Sequence, residues 1–186
     1  MRVIAGSAKG VRLGAVPPGV RPVSDRAREG VFSSIGAEVP GARVLDLFAG
    51  TGAMGIEALS RGAEHATFVD RSAQAAAAIH ANLDRTHLAG RAAVQLMDAS
   101  RFLAGPEPER PFDLVLADPP YELEADEVAR ILVALGSGWL AGDGWTVVLT
   151  RGIKSSTPVI PVHWAVARQL RYGDSLVILF REVRWA

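Results

Sequence analysis

The tetrapeptide Asp118-Pro119-Pro120-Tyr121, which follows the apolar run at residues 112–117, has the clearest chemical meaning in this sequence. An NH2 group on a conjugated ring is a poor nucleophile because its lone pair is delocalised. Two acceptors aimed at its N–H bonds would free that lone pair. Asp118 offers a carboxylate and Pro119 a carbonyl, in a turn that the prolines stiffen, and Tyr121 can stack on the ring. The motif predicts a catalytic site for such an amine, although Pro-Pro also occurs in plain turns.

A second motif, DLFAGTGAMG at residues 46–55, follows the first predicted strand. Its glycines let the backbone approach a ligand, and the next helix offers free N–H groups at its N-terminus. Asp70 ends the second predicted strand, where a carboxylate can accept both ribose hydroxyls of an adenosine cofactor. Asp98 follows the third predicted strand and could contact the adenine amine. These features predict a cofactor that contains adenosine.

Two adenosine cofactors fit this loop. The segment GTGAMG matches the dinucleotide fingerprint G-x-G-x-x-G, so a nicotinamide-dependent oxidoreductase stays open. Asp46 favours S-adenosylmethionine, because a carboxylate there would hold its ammonium group and repel a pyrophosphate. The Asp118 motif also has no role in hydride transfer. The predicted cofactor-binding residues are Asp46, Phe48, Ala49, Gly50, Thr51, Gly52, Asp70, Arg71, Asp98 and Ala99.

Alternating strands and helices must position these motifs. The apolar patterns predict strands at residues 44–48, 66–70, 92–97, 112–117 and 145–150. They predict helices at residues 53–61, 72–88, 100–103 and 124–135. Residues 164–171 and 175–183 are too close in sequence for a helical crossover, which predicts an antiparallel hairpin. The expected fold is α/β, with a mostly parallel seven-stranded sheet that ends in this hairpin.

The N-terminal segment differs in charge from the rest. The chain has 20 basic and 20 acidic residues, yet residues 1–35 contain six basic residues against two acidic ones, which is typical of contact with a polyanion. Residues 2–16 predict a β-hairpin, and a helix is expected from about residue 25 to 35. We expect a small extension at residues 1–23 and one domain at residues 24–186. Candidate phosphate contacts, each of which could equally be a plain surface charge, are Arg2, Lys9, Arg12, Arg21, Arg26 and Arg28.

The amino-acid composition excludes several kinds of chemical site. The chain has no cysteine, which excludes disulfides, iron–sulfur clusters and methyl transfer through a cysteine thiolate. Its four histidines show no paired spacing, so we expect no metal site. Because no apolar run reaches the length of a membrane span, we expect a cytoplasmic protein without membrane contact.

The motifs together resemble a known family. DLFAGTGAMG, Asp70, Asp98 and DPPY resemble class I methyltransferases, which have a Rossmann-like fold and modify amino groups. The opening MRVIAG, then RPVSDRAREGVF, and the closing RYGDS are similar to the RsmD family of bacterial small-subunit rRNA guanine-N2 methyltransferases. One departure is the stretch TRGIK at residues 150–154, where the family often has acidic or polar residues.

The resemblance implies a methyl transfer from S-adenosylmethionine to N2 of one guanine in 16S rRNA. The substrate would be a 30S subunit or an assembly intermediate, bound in part by the N-terminal hairpin, and we expect the enzyme to act as a monomer. Residues Asp118 to Tyr121 would hold the guanine. Four alternatives stay open: N6-adenine methylation of DNA, methylation of a protein glutamine, an NAD-dependent oxidoreductase, and a non-catalytic RNA-binding assembly factor.

Overall fold

A single sheet with helices on both faces makes up most of the computed structural model, which describes residues 1–14 and 23–183. The strands in these ranges are β1 Arg43–Leu47, β2 His65–Asp70, β3 Ala92–Leu96, β4 Leu114–Ala117, β5 Thr146–Gly152, β6 Trp164–Tyr172 and β7 Ser175–Glu182. The α-helices are α1 Asp25–Ser34, α2 Ala53–Ser60, α3 Ala73–Thr86, α4 Ala99–Leu103 and α5 Ala125–Leu135. Short 3-10 turns at Gly36–Glu38 and Ala89–Arg91 were not expected.

The strand order β3-β2-β1-β4-β5-β7-β6 confirms the predicted fold class. Strands β1 to β5 pair in parallel, whereas β7 runs antiparallel to both β5 and β6. The chain leaves β1 towards β2 and β3 and returns on the other side of β1 through β4. Leu47 of β1 lies beside Ala117 of β4, so the loops that follow these two strands leave the sheet together.

Side chains on the central strands alternate between two apolar layers. Val44 and Leu116 pack with α1, α2 and α3, whereas Leu45 and Val115 pack with α4 and α5. Both faces are therefore buried, which explains why the strands read as almost continuous apolar runs. In the described ranges, no helix combines the length and the apolar character that a membrane crossing requires.

The predicted N-terminal hairpin is smaller than expected. Arg2 and Arg12 form one antiparallel bridge, and the Val3 amide donates to the Val11 carbonyl at 3.0 Å. The last two residues of the predicted hairpin, 15 and 16, lie outside the described residues. Val3 and Leu13 are buried in the same apolar layer as α2 and α3. This segment therefore packs as part of the core.

Helix α2 supplies hydrogen-bond partners that a second strand would otherwise provide. The Glu57 carboxylate accepts from the amides of Ile4 at 2.8 Å and Ala5 at 3.0 Å. The Ser60 hydroxyl accepts from the Ala8 amide at 2.9 Å. Because Ile4, Ala5, Ser7 and Ala8 donate their amides to α2, they need no strand partner for these groups.

Arg28 was wrongly predicted to contact RNA. Its side chain is fully buried, and its guanidinium donates to the Asp25 carboxylate at 3.0 Å and to the Arg2 carbonyl. Its Nε lies 3.7 Å from a Glu57 oxygen, so it neutralises a buried acid. Arg2, Lys9, Arg12 and Arg26 are exposed, and Arg21 lies outside the described residues.

We predict that Glu57→Gln destabilises the protein by about 3 kcal/mol, because it leaves the buried Arg28 charge poorly compensated. Urea denaturation measures this free energy of unfolding. The matched control is Glu64→Gln, which breaks an exposed pair with Arg110 and should leave the free energy of unfolding nearly unchanged, because water screens that pair. Similar small losses in both variants would contradict the assigned role of Glu57.

Candidate active site

A cavity of about 390 Å³ opens where β1, β2 and β4 end. It is lined by every predicted catalytic and cofactor-binding residue except Gly52: Asp46, Phe48, Ala49, Gly50, Thr51, Asp70, Arg71, Asp98, Ala99, Asp118, Pro119, Pro120 and Tyr121. Residues that are distant in sequence therefore meet at one edge of the sheet. The predicted catalytic turn and the predicted cofactor loop share one space.

The loop after β1 depends on unusual backbone angles. Phe48, Gly50 and Gly52 have φ values of 59°, 56° and 75°, in the left-handed region. For Phe48 this conformation is strained by roughly 1–2 kcal/mol, and strain of this kind tends to lie at functional sites. Gly52 lies just behind the loop, where an added Cβ would stand 3.1 Å from Ile79. Gly52 therefore shapes the loop while its neighbours line the cavity.

Asp70 holds the same loop from the side. Its carboxylate accepts from the Gly50 amide and from the Ser72 amide, each at 2.9 Å. Each carboxylate oxygen has a second lone pair, so Asp70 can order the loop and still accept a hydroxyl from a ligand.

Asp98 has a structural role that sequence reasoning did not assign. Its Oδ1 caps α4 by accepting from the amides of Ser100 at 2.9 Å and Arg101 at 3.3 Å. An acidic residue directly before a short helix is a recognisable capping signal. The cap fixes Asp98 at the cavity wall, where its predicted adenine contact stays a prediction.

The cavity concentrates negative charge. Burial raises the pKa of the Asp46 carboxyl well above its ordinary value; the Gly55 amide, which donates at 2.9 Å, opposes this, and the charges of Asp118 and Asp70 raise the pKa further. Among the described lining residues, Arg71 is the one basic side chain. Such a space favours a cation and disfavours a pyrophosphate.

The predicted catalytic turn is held at several points. The Asp118 amide donates to the Leu47 carbonyl at 3.3 Å, which ties the turn to the end of β1. The Pro120 carbonyl accepts from the Leu123 amide at 3.0 Å and closes the turn. The Tyr121 hydroxyl lies 2.5 Å from the Ser175 hydroxyl at the start of β7. The ring that is predicted to stack on the substrate is therefore fixed at its far end.

Several lining residues were missed from the sequence. Val23 and Ala27 bring the start of α1 to the cavity, and Thr150, Ser175 and Val177 come from β5 and β7. Ser175 belongs to the closing RYGDS stretch, which was a usable signal. Val23 and Ala27 belong to the stretch RPVSDRAREGVF, which was a second signal, whereas no motif marks Thr150 or Val177.

Asn82 was missed as well. It is buried, its amide donates to the Thr51 carbonyl at 2.9 Å, and its carbonyl accepts from the Gly14 amide at 2.8 Å. One side chain on α3 therefore links the predicted cofactor loop to the N-terminal segment.

Comparison with known proteins extends the likeness over the whole chain. A family model described as conserved hypothetical protein 95 matches residues 1–181. YlbH of Bacillus subtilis strain 168, named as a candidate rRNA methyltransferase, is 47% identical over 98% of this chain and 99% of its own. Ribosomal RNA small subunit methyltransferase D of Escherichia coli K12 is 35% identical over 97% of this chain and 89% of its own. The solved structure of yhhF from Escherichia coli, described as a candidate methyltransferase, has a TM-score of 0.86 at 31% identity and covers 99% of both chains.

The raised pKa of Asp46 predicts a pH-dependent stability for the ligand-free protein. As the pH rises from the ordinary pKa to the raised pKa, the free energy of unfolding falls by about 1.4 kcal/mol per pH unit. The reason is that the carboxyl group ionises at a lower pH in the unfolded state than in the folded state. Asp46→Asn keeps an acceptor for the Gly55 amide and removes the charge. The variant should melt at a higher temperature than the wild type at pH 8, and the difference should shrink towards pH 4.

Scanning calorimetry across this pH range checks the prediction. Asp143→Asn removes a carboxylate from an exposed turn and should leave the melting temperature unchanged at both pH values. Equal melting temperatures for Asp46→Asn and the wild type at pH 8 would show that Asp46 carries no buried charge.

Proposed function

Since the chain belongs to the RsmD family, the family of conserved hypothetical protein 95, we propose that it methylates the exocyclic N2 amine of one guanine in 16S rRNA. The methyl donor would be S-adenosylmethionine. The main support for this proposal is that the cofactor loop and the Asp118 turn line the same acidic cavity. The relatives named as rRNA methyltransferases support the choice of RNA as substrate.

The residues present fit S-adenosylmethionine. A volume of about 390 Å³ is ordinary for a small-molecule site, and the buried acidic wall suits a ligand with two positive charges. Asp46 would hold the ammonium group, Asp70 the ribose hydroxyls and Asp98 the adenine amine. When bound, this cofactor supplies a methyl group that is already activated by a positively charged sulfur.

The chain's own part in the reaction is to orient the guanine amine. The Asp118 carboxylate accepts one N–H of the guanine amine, and the Pro119 carbonyl accepts the other, which localises the nitrogen lone pair. Tyr121 fixes the plane of the base through its ring. Since the donor is already activated, the gain in rate comes mainly from alignment and from charge stabilisation by the fixed carboxylate.

Exposed basic residues on the N-terminal segment and on α1 support an RNA substrate. Arg2, Lys9 and Arg12 lie on the N-terminal segment, and Arg26 lies on the first turn of α1, whose Ala27 lines the cavity. Phosphates bound by these side chains would place a base extruded from the RNA into the site. We place this reaction in the cytoplasm, on a 30S subunit or an assembly intermediate, with the protein as a monomer.

Transfer of labelled methyl groups tests the proposal. We expect labelled S-adenosylmethionine to mark small subunits from a strain that lacks this protein, and mass spectrometry to identify N2-methylguanosine at one position. Asp118→Ala should lower turnover by about 10³-fold or more, because the amine loses its acceptor. Its affinity for S-adenosylhomocysteine, measured by calorimetry, should stay within a few-fold.

Asp126→Asn on α5 is the control and should retain full turnover. Label that appears only in DNA or in a translation factor would refute the rRNA assignment. Tight binding of NAD together with no binding of S-adenosylhomocysteine would refute the methyltransferase assignment altogether.

The salt dependence of binding tests the basic surface. Lys9→Ala and Arg12→Ala should each reduce the slope of log K against log salt by about 0.7–0.9, because each removes one phosphate contact. Point variants are needed because Val3 and Leu13 of the same segment belong to the core. Arg130→Ala, on the exposed side of α5, should keep the wild-type slope; unchanged slopes for Lys9→Ala and Arg12→Ala would place the RNA elsewhere.

A further inference from the structure

A second cavity of about 480 Å³ adjoins the first at Tyr121 and Glu122, which line both. Its other lining residues are Gly152, Ile153, Lys154, Ser155 and Asp174. They come from residues 152–155, which overlap the stretch 150–154 where the sequence departs from its family, and from Asp174 of the closing RYGDS. The pairing of Gly152 with Ser175 brings these stretches to one edge of the sheet.

The walls of this second cavity are tied together. The Ile153 amide donates to the Asp174 carbonyl at 2.8 Å, which joins the loop after β5 to the turn between β6 and β7. The Ser155 amide donates to the Gly152 carbonyl at 2.9 Å. A Cβ on Gly152 would stand 3.1 Å from the Tyr121 ring and 3.0 Å from the Ser155 hydroxyl, so a glycine lets the ring lie this close. Tyr121 is therefore a fixed wall between the two cavities.

The side chains around this space match the parts of a nucleotide. Lys154 is an exposed cation that can bind a phosphate, and the Ser155 hydroxyl can bond a ribose hydroxyl. The Asp174 carboxylate can accept the N–H groups of a base, and the Tyr121 ring offers a stacking surface. The negative charges of Glu122 and Asp174 repel a phosphate that lies away from Lys154, which favours one orientation of the nucleotide.

We propose that this second cavity binds the RNA nucleotide next to the methylated guanine. The proposal rests on the proposed function, since a flanking nucleotide is present only if the first cavity takes an RNA base. Extruding the target base also unstacks its neighbour, and binding that neighbour offsets part of the unstacking energy. Lys154 holds its phosphate, and Asp174 accepts from the amino group of adenine, cytosine or guanine. Uracil binds less well, because the two carbonyl oxygens beside its N3–H repel the carboxylate.

Steady-state methylation of small subunits tests the second cavity. In Lys154→Ala and Asp174→Asn the KM for small subunits should rise about tenfold, while kcat and the affinity for S-adenosylhomocysteine stay within twofold. Lys154→Ala should also lower the salt slope of RNA binding by about 0.7–0.9. Arg130→Ala and Asp143→Asn, which make the same charge changes on exposed side chains elsewhere, should leave the KM unchanged.

A double-mutant cycle identifies the contact directly. Subunits are prepared in which the 5′ or the 3′ neighbour of the methylated guanine is changed to uridine. At one of these positions uridine should raise the KM of the wild-type enzyme, and the same change should have no further effect on Asp174→Asn. Additive effects at both positions would overturn the assignment of Asp174 to a neighbouring base.

The outcomes separate this proposal from the one on which it rests. A wild-type enzyme that methylates rRNA, with the KM unchanged in both Lys154→Ala and Asp174→Asn, would overturn the second site alone. Equal losses of S-adenosylhomocysteine binding and RNA binding would also overturn it, because they indicate a general structural role. A wild-type enzyme that methylates no small-subunit RNA would overturn both proposals.

Discussion

The parallel pairing of β1 with β4 is the constraint on which the site depends. Because Leu47 lies beside Ala117, the residues that follow both strands leave the sheet at the same point. The loop after β1 and the turn at Asp118 then have to share one space, and the hydrogen bond from the Asp118 amide to Leu47 secures the turn there. A shift of the β1–β4 register by one residue would turn alternate side chains to the opposite face of the sheet and would separate the two loops.

The same pairing creates an electrostatic problem. Together with the pairing of β1 with β2, it brings Asp70 and Asp118 close enough to Asp46 to raise the pKa of Asp46, in addition to the effect of burial. A protein that kept these carboxylates only for stability would gain by replacing them with neutral residues. Their concentration is understandable if a cation completes the site, and it makes a ligand with a pyrophosphate a poor match.

Helix α2 connects this site to the basic N-terminal segment. Its first residues follow the cofactor loop, and Gly55 donates to Asp46, whereas Glu57 and Ser60 bind residues 4–8. Asn82 makes a second connection between the same two regions. The segment proposed to contact RNA is thus attached to the helix that follows the proposed cofactor loop, and the buried pair of Arg28 and Glu57 supports that attachment.

The sequence by itself determined the order of strands and helices, the fold class and more than half of the residues that line the first cavity. These features follow from local signals: apolar periodicity, glycine-rich turns, and motifs that end successive strands. Only the tertiary structure decided that Arg28 is buried and that α1 lines the cavity. It also decided that the N-terminal hairpin has a single β-bridge and that its residues hydrogen-bond to α2 instead. It also brought Lys154 close to Asp174. Such facts depend on contacts between residues far apart in the chain, where packing decides which side of an element faces inward, and no local pattern records that choice.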